Sequence, residues 1–279
     1  GLWGVAFAGR ALPAWLVATP LCGGGAGNPY QDEQGPPWAD NAGRFMLLSR
    51  AAAAIAWGDT ELNWVADVLH CNDWHTGPAI ALVHERAQRP RTVFTIHNLA
   101  HMGMFDRSTF ERLRLPEHFW SSQSMEFYEQ LCFIKGGLSH ADWITTVSPT
   151  YAKEICSSAG GMGLEGLLNH RRDRLKGILN GIDETVWDPS RDPLLVQVYD
   201  RDCLQLKRAN KTALLQELGL DDANGAPVFG FVGRLAEQKG VALLLPILDQ
   251  LLQTGCRLLV LGTGDAQLER ALVQLADRH

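Results

Sequence analysis

Short apolar runs rich in Val, Ile and Leu alternate along the chain with longer stretches whose apolar residues recur at helical spacing. The runs AWLVAT, VADVLH, TVFTIH, WITTV, KGIL, PVFGFVG and CRLLVLG predict strands. A predicted helix N-capped by Asp40 runs through RFMLLSRAAAAIA, and others lie in SMEFYEQLCFIKGGL, YAKEIC, CLQLKRANKTALLQELG and ALLLPILDQLLQTG. Strands apolar on both faces and separated by helices imply a parallel sheet covered on both sides, hence an α/β fold. No internal repeat or low-complexity tract interrupts the pattern. After LNGIDETVWDPSRDP the chain turns polar, forms one charged helix, and meets Gly/Pro punctuation at LDDANGAP before a fresh strand–helix series. We therefore expect a first domain over 1–183 and a connector with a second α/β unit over 184–279.

Composition narrows the function classes. The 279 residues are 46% hydrophobic and 20% charged, enough for a large core. A net charge of −6 argues against nucleic acid as partner, since phosphate tracking needs clustered Lys and Arg. The densest basic stretch, HRRDRLK at 170–176, is broken by Asp173 and reads as a solvated helix face. Cysteines at 22, 71, 132, 156, 203 and 256 form no CxxC pair, which suits reduced, packed thiols in a cytoplasmic protein. The apolar start GLWGVAFAGRALPAWLVATP is broken by Arg10 and two prolines, too soon for a membrane span. The chain begins with Gly and ends in the helical pattern DAQLERALVQLADRH, so we expect further sequence at both ends.

In open parallel sheets, ligands bind beyond the carboxyl ends of the strands. The residues just past each strand are therefore informative: Asn72, Asp73, Trp74 and His75; then His97 and Asn98; then Asn180, Gly181 and Asp183; then Gly233, Arg234 and Lys239; then Gly262, Thr263, Gly264 and Asp265. Every strand but the first and WITTV ends in groups suited to hydroxyls or phosphates. HCNDWHTG, at 70–77, could be read as a zinc site, but no second Cys/His pair completes a ligand set. A Cys71–His75 nucleophile pair is conceivable, yet Cys71 sits in an apolar run that would keep its thiol protonated. Asp73 remains, a strand-end carboxylate able to accept hydrogen bonds from sugar hydroxyls. In GRLAEQKG (233–240), Arg234 and Lys239 flank a turn expected to open a helix, a setting for a diphosphate. The Gly262-x-Gly264 loop is a weaker phosphate signal. LLVQVYDRD (194–202) resembles a strand ending in Asp200 and Asp202, which could hold a divalent ion; the helical period of the next residues favours a surface helix start instead.

GNPYQD, DNAGRFMLLSRAA, HCNDWHTG, TVFTIHNLAHMGMF, TTVSPTYAKEI, GMGLEGLL, LNGIDETVWDP, NKTALLQELGL and GRLAEQKG occur in this order. Together they resemble the bacterial glycogen synthases, the ADP-glucose type of starch synthase, from about residue 14 to the end. The resemblance implies a GT-B fold of two Rossmann-like domains, both truncated in this chain. It implies transfer of glucose from ADP-glucose to the non-reducing end of an α-1,4-glucan with retention, with no metal or other cofactor. By position, Asp73 and His97 line the glucosyl pocket, with His97 near the hydroxymethyl group, and Asn180 faces the donor. Arg234 and Lys239 hold the diphosphate and neutralise departing ADP. Tyr30 contacts the nucleotide side, and Trp74 and His75 shape the pocket. Asn98, Gly233, Gly262 and Gly264 complete the expected binding set.

The family's Lys-Thr-Gly-Gly-Leu donor loop and its paired-glutamate segment are absent from this sequence, and CGGGA at 22–26 replaces a bulkier charged loop. The chain by itself is accordingly expected to be inactive. Two alternatives stay open: a related GT-B transferase with another nucleotide sugar, and a non-catalytic α-glucan-binding protein derived from a synthase. A metal-dependent transferase built on Asp200 and Asp202 ranks behind both.

Overall fold

The computed structural model describes residues 38–62, 64–222 and 225–279, Tyr30, and the backbone of 2–6 and 13–17. Cys22, the CGGGA stretch and every residue of GNPYQD except Tyr30 lie outside that set. The chain divides into two compact units, Gly1–Gly181 and Ile182–His279.

The first unit is organised around a parallel sheet. β1 (Leu2–Ala6) and β2 (Pro13–Val17) form an antiparallel pair of their own rather than joining that sheet. Then come α1 (Asn41–Trp57), β3 (Val68–Asn72), α2 (Asp73–Val83) and β4 (Arg91–Ile96). A small antiparallel sheet comes next, made of β5 (Met104–Phe105), β6 (Glu126–Phe127) and β7 (Gln130–Cys132), with α3 (Arg107–Arg112) between β5 and β6. The unit continues with α4 (Phe133–His140), β8 (Trp143–Thr146), α5 (Pro149–Glu154), α6 (Glu165–His170) and β9 (Leu175–Gly177). The main sheet runs β3-β4-β8-β9, every neighbour parallel.

Burial alternates along these strands. Cys71, Phe94, Ile96 and Ile144 face a core shared with Ile80 of α2 and Ile134 and Leu138 of α4. On the other face Val68 is 54% and Trp143 43% exposed. The expectation of a sheet covered on both faces thus fails among the described residues. The physical reason is that this second face is partly polar: His70 Nε2 lies 2.6 Å from Thr95 Oγ1, which lies 2.6 Å from Thr145 Oγ1.

Helix α2 packs against both α1 and α4. It escaped the sequence reading because Gly77 and Pro78 interrupt its pattern, and Pro78 sits inside the helix. Gly77 makes the packing possible: a Cβ there would stand 2.0 Å from the Phe133 carbonyl oxygen. Two further expectations need correction. The first half of SMEFYEQLCFIKGGL is a hairpin, because Tyr128 (φ 47°) and Glu129 (φ 60°) adopt the two left-handed conformations that a tight β-turn requires. Asp40 stands at the α1 N-cap without capping it; its carboxylate pairs with Arg44 Nε at 3.0 Å instead.

The second unit contains α7 (Lys207–Glu217), β10 (Val228–Val232), α8 (Val241–Leu244), α9 (Leu248–Gln253), β11 (Arg257–Leu261) and α10 (Ala266–Ala276). β10 and β11 pair in parallel from Val228↔Arg257 to Val232↔Leu261. The helix predicted over ALLLPILDQLLQTG is split at Pro246 by a three-residue 3-10 turn. No strand forms in LLVQVYDRD. Asp200 Oδ1 accepts from the backbone N–H groups of Asp202 (2.8 Å) and Cys203 (2.9 Å), closing a turn before α7.

Candidate functional site

β3 and β4 are adjacent and parallel, with Asn72 opposite Thr95, so their carboxyl ends deliver Asp73 and His97 to the same edge. α2 begins at the residue after β3, without a loop. This abrupt turn places Asp73 at φ +56°, a conformation costly for a non-glycine residue. Thr76 secures the junction, its hydroxyl accepting from Asn72 N–H (2.8 Å) and donating to Asn72 O (2.7 Å). His97 N–H donates to Asp73 Oδ1 at 2.8 Å, and His97 Nδ1 lies 3.1 Å from Asp73 Oδ2. The His97 side chain is 45% exposed and that of Asp73 23%, so the imidazole is the more open member.

Two residues the sequence reading missed hold the backbone around His97. Thr146 Oγ1 donates to the Ile96 carbonyl (2.8 Å), and the Tyr151 hydroxyl accepts from Leu99 N–H (2.9 Å). Both lie in TTVSPTYAKEI, whose Thr and Tyr carried the only available signal. Between them, Asn98 Oδ1 accepts from Ala100 N–H at 3.0 Å.

Beside Asp73 the aromatic rings cluster. The His75 ring lies 4.1 Å from Trp74, 4.7 Å from Phe45 and 5.0 Å from Tyr30, centroid to centroid. Burial pushes the His75 imidazole below its ordinary range, with His101 acting in the same direction and Asp73 opposing. Gly103 is required against this cluster, since a Cβ there would meet Trp74 Cε3 at 2.3 Å. Tyr30, Trp74 and His75 are thus neighbours. Cys71 faces the core, where burial pushes its thiol up to about 12. It is no nucleophile. Among the described residues no group of three or more His, Cys, Asp or Glu is arranged to hold a metal ion.

Asn180 is exposed in the segment after β9. In the second unit Arg234 and Lys239 are both exposed beyond the carboxyl end of β10. The turn there, Glu237–Lys239, is a 3-10 turn, and the short helix α8 opens just after it at Val241, in the order expected. Gly262 and Gly264 have a packing reason to be glycine, whereas at Gly233 the reason is a backbone φ of +157°. Leu235 N–H donates to Thr263 O at 2.9 Å, so the loops after β10 and β11 run side by side. A Cβ on Gly262 would stand 1.9 Å from Gly233 O, and one on Gly264 2.2 Å from Leu235 O. Gly264 N–H is taken by Glu269 Oε1 at 2.7 Å.

Polar groups at the carboxyl ends of adjacent parallel strands define a ligand-binding α/β protein of the Rossmann-like class. The family described as the starch synthase catalytic domain matches residues 6–170. The chain is 52% identical to a glycogen synthase of Alkalilimnicola ehrlichii, over 97% of this chain and 56% of that protein. It is 49% identical to glycogen synthase 1 of Methylococcus capsulatus, over 96% of this chain and 54% of that protein. Among solved structures, the catalytic domain of starch synthase IV from Arabidopsis thaliana bound to ADP and acarbose superimposes with a TM-score of 0.78 at 30% identity, covering 87% of this chain and 51% of that one. The chain belongs to the starch synthase catalytic domain family, and its fold class is the α/β GT-B type. It spans about half the length of the curated relatives it matches.

Proposed function

We propose that this chain carries donor-site machinery of a cytoplasmic glucosyltransferase that elongates α-1,4-glucan from ADP-glucose with retention of configuration. The observation that carries the reading is the Asp73–His97 pair at the ends of β3 and β4, in a chain about half identical to glycogen synthases along nearly its whole length. ADP in the Arabidopsis starch synthase IV structure supports an adenosine diphosphate donor. Asp73, His97 and Asn180 serve the glucosyl group, Tyr30, Trp74 and His75 the pocket wall, and Asn98 the loop carrying His97. Arg234 and Lys239 neutralise the charge that develops on the leaving diphosphate; Gly262 and Gly264 let the two loops approach closely, and Gly233 supplies the positive φ at the end of β10. The reading is of transfer without a metal, which is supported by Asp200, the head of the alternative carboxylate pair, spending one oxygen on two backbone N–H groups in a turn. Five free cysteines among the described residues suit a reducing compartment. No described helix is long and apolar enough to cross a membrane.

The test replaces the matching segment of Methylococcus capsulatus glycogen synthase 1 with this chain and measures glucose transfer from ADP-glucose to glycogen. The chimaera transfers glucose, prefers ADP-glucose to UDP-glucose and keeps its rate in EDTA. The 279-residue chain alone releases no ADP. A folded chimaera that binds glycogen without turnover would overturn the enzymatic reading in favour of a glucan-binding protein.

A further inference from the structure

The sequence suggests a role for Asp73 in gripping sugar hydroxyls directly. Its geometry suits another task. Both carboxylate oxygens point at one residue: Oδ1 accepts the backbone N–H of His97 at 2.8 Å, and Oδ2 lies 3.1 Å from its Nδ1. A carboxylate only accepts hydrogen bonds, so this pairing selects the imidazole form with its proton on Nδ1. The Nε2 atom of the neutral ring then carries a lone pair. The backbone is fixed to match: Asp73 is held at φ +56° by the strand-to-helix junction, Thr146 binds the carbonyl before His97, and Tyr151 binds the amide two residues after it.

We infer that Asp73 is a positioning residue that fixes the Nδ1–H tautomer of His97, so that Nε2 accepts a hydrogen bond from a hydroxyl of the bound sugar. The choice of sugar rests on the proposed function; the tautomer does not. The Asn variant is informative because its amide mimics the shape of the carboxylate and Asn tolerates a left-handed backbone. With its Oδ1 still bound to His97 N–H, the amide places an NH2 group against Nδ1. That arrangement donates to Nδ1 and forces the proton onto Nε2, reversing what the ring offers the substrate.

The experiment is long-range 1H–15N NMR on the full chain with 15N-labelled histidine, at pH 8.5, with His97 assigned from a His97→Gln sample. The wild-type ring shows the Nδ1–H pattern and Asp73→Asn shows Nε2–H. In the chimaera, Asp73→Asn lowers kcat by on the order of 100-fold or more, with KM for ADP-glucose changed less than about threefold. An Nε2–H pattern in the wild type, or an unchanged pattern in Asp73→Asn, overturns the inference whatever the activity. The wild-type spectrum decides the tautomer even if the variant fails to fold. A correct tautomer in a folded chimaera that transfers no glucose overturns the proposed function and leaves the role of Asp73 standing.

Discussion

Acidification between pH 7 and 5 should destabilise the first unit through two histidines far from the candidate site. His84 and His140 lie 5.8 Å apart, ring to ring, near Arg89 and Arg171. Burial is the main cause that pushes both imidazoles down to about 4. For His84, Arg89 and Arg171 add to the shift and Asp142 opposes it; for His140, His84, Arg171 and His118 add and Glu85 opposes. Below pH 6.5 the unfolded chain takes up protons that the folded rings refuse. The associated stability is therefore complete above about pH 6.5 and drains away as pH falls toward 4. For a fully protected ring the loss by pH 5 is about 2 kcal/mol. Each ring keeps some solvent contact, so about 1 kcal/mol apiece is the expected fall. Asp142 does not blur this window: the hydrogen bonds from Arg89 hold its carboxyl below the ordinary carboxylate range, and its contribution is lost only below about pH 4. Eight of the nine tryptophans precede Gly181, so fluorescence-detected urea unfolding reports on this unit. A midpoint that stays flat from pH 7 to 5 would refute the reasoning. So would an equal fall in the His84→Gln/His140→Gln double variant.

The packing supports three shorter predictions. Gly77→Ala forces α2 and α4 apart at the Phe133 carbonyl and should cost about 1–3 kcal/mol or more, read as a lowered urea midpoint; an unchanged midpoint would mean the helices are not in contact there. Arg89→Leu removes two hydrogen bonds to the half-buried Asp142, at 2.8 and 2.9 Å, while the Thr92 amide and hydroxyl still donate to it. About 2 kcal/mol of stability should be lost in urea unfolding. Cys71, buried with its thiol pushed up to about 12, should resist iodoacetamide at pH 8 until urea unfolds the chain, as read by peptide mass; labelling in native buffer would contradict the placement.

The sequence was legible where its patterns are local. Runs such as TVFTIH and CRLLVLG fall within a residue or so of β4 and β11, because a short run of strand length between helical stretches leaves few other options. Legibility failed where backbone chemistry overrode the pattern. SMEFYEQLC keeps helical spacing, yet two left-handed residues turn it into a hairpin. DWHTGPAIALV contains Gly and Pro, yet Gly77 is what lets α2 lie against α4 and Pro78 is accommodated within the helix. The first is decided by local backbone conformation that spacing does not report, the second by a contact with Phe133 far along the chain.

The candidate site shows the same division at finer scale. The kinds of residue and their strand-end positions could be read directly, since a parallel sheet sends its strand ends to one edge. What each residue bonds to could not. Asp73 and His97 are 24 positions apart, and only the β3–β4 register makes one carboxylate the partner of one imidazole. Thr146 and Tyr151 act through the Ile96 carbonyl and the Leu99 amide, and their side-chain types alone do not say which backbone groups they hold. The glycines at 262 and 264 illustrate an ambiguity that spacing cannot resolve. A loop that cradles phosphate and a loop that lies against another loop both exclude Cβ, and they leave the same sequence behind. The carbonyl of Gly233, 1.9 Å from where a Cβ of residue 262 would stand, makes loop contact sufficient reason for glycine at 262. Under the proposed function the charge comes from the exposed side chains of Arg234 and Lys239, and its removal at these two positions should weaken anion binding.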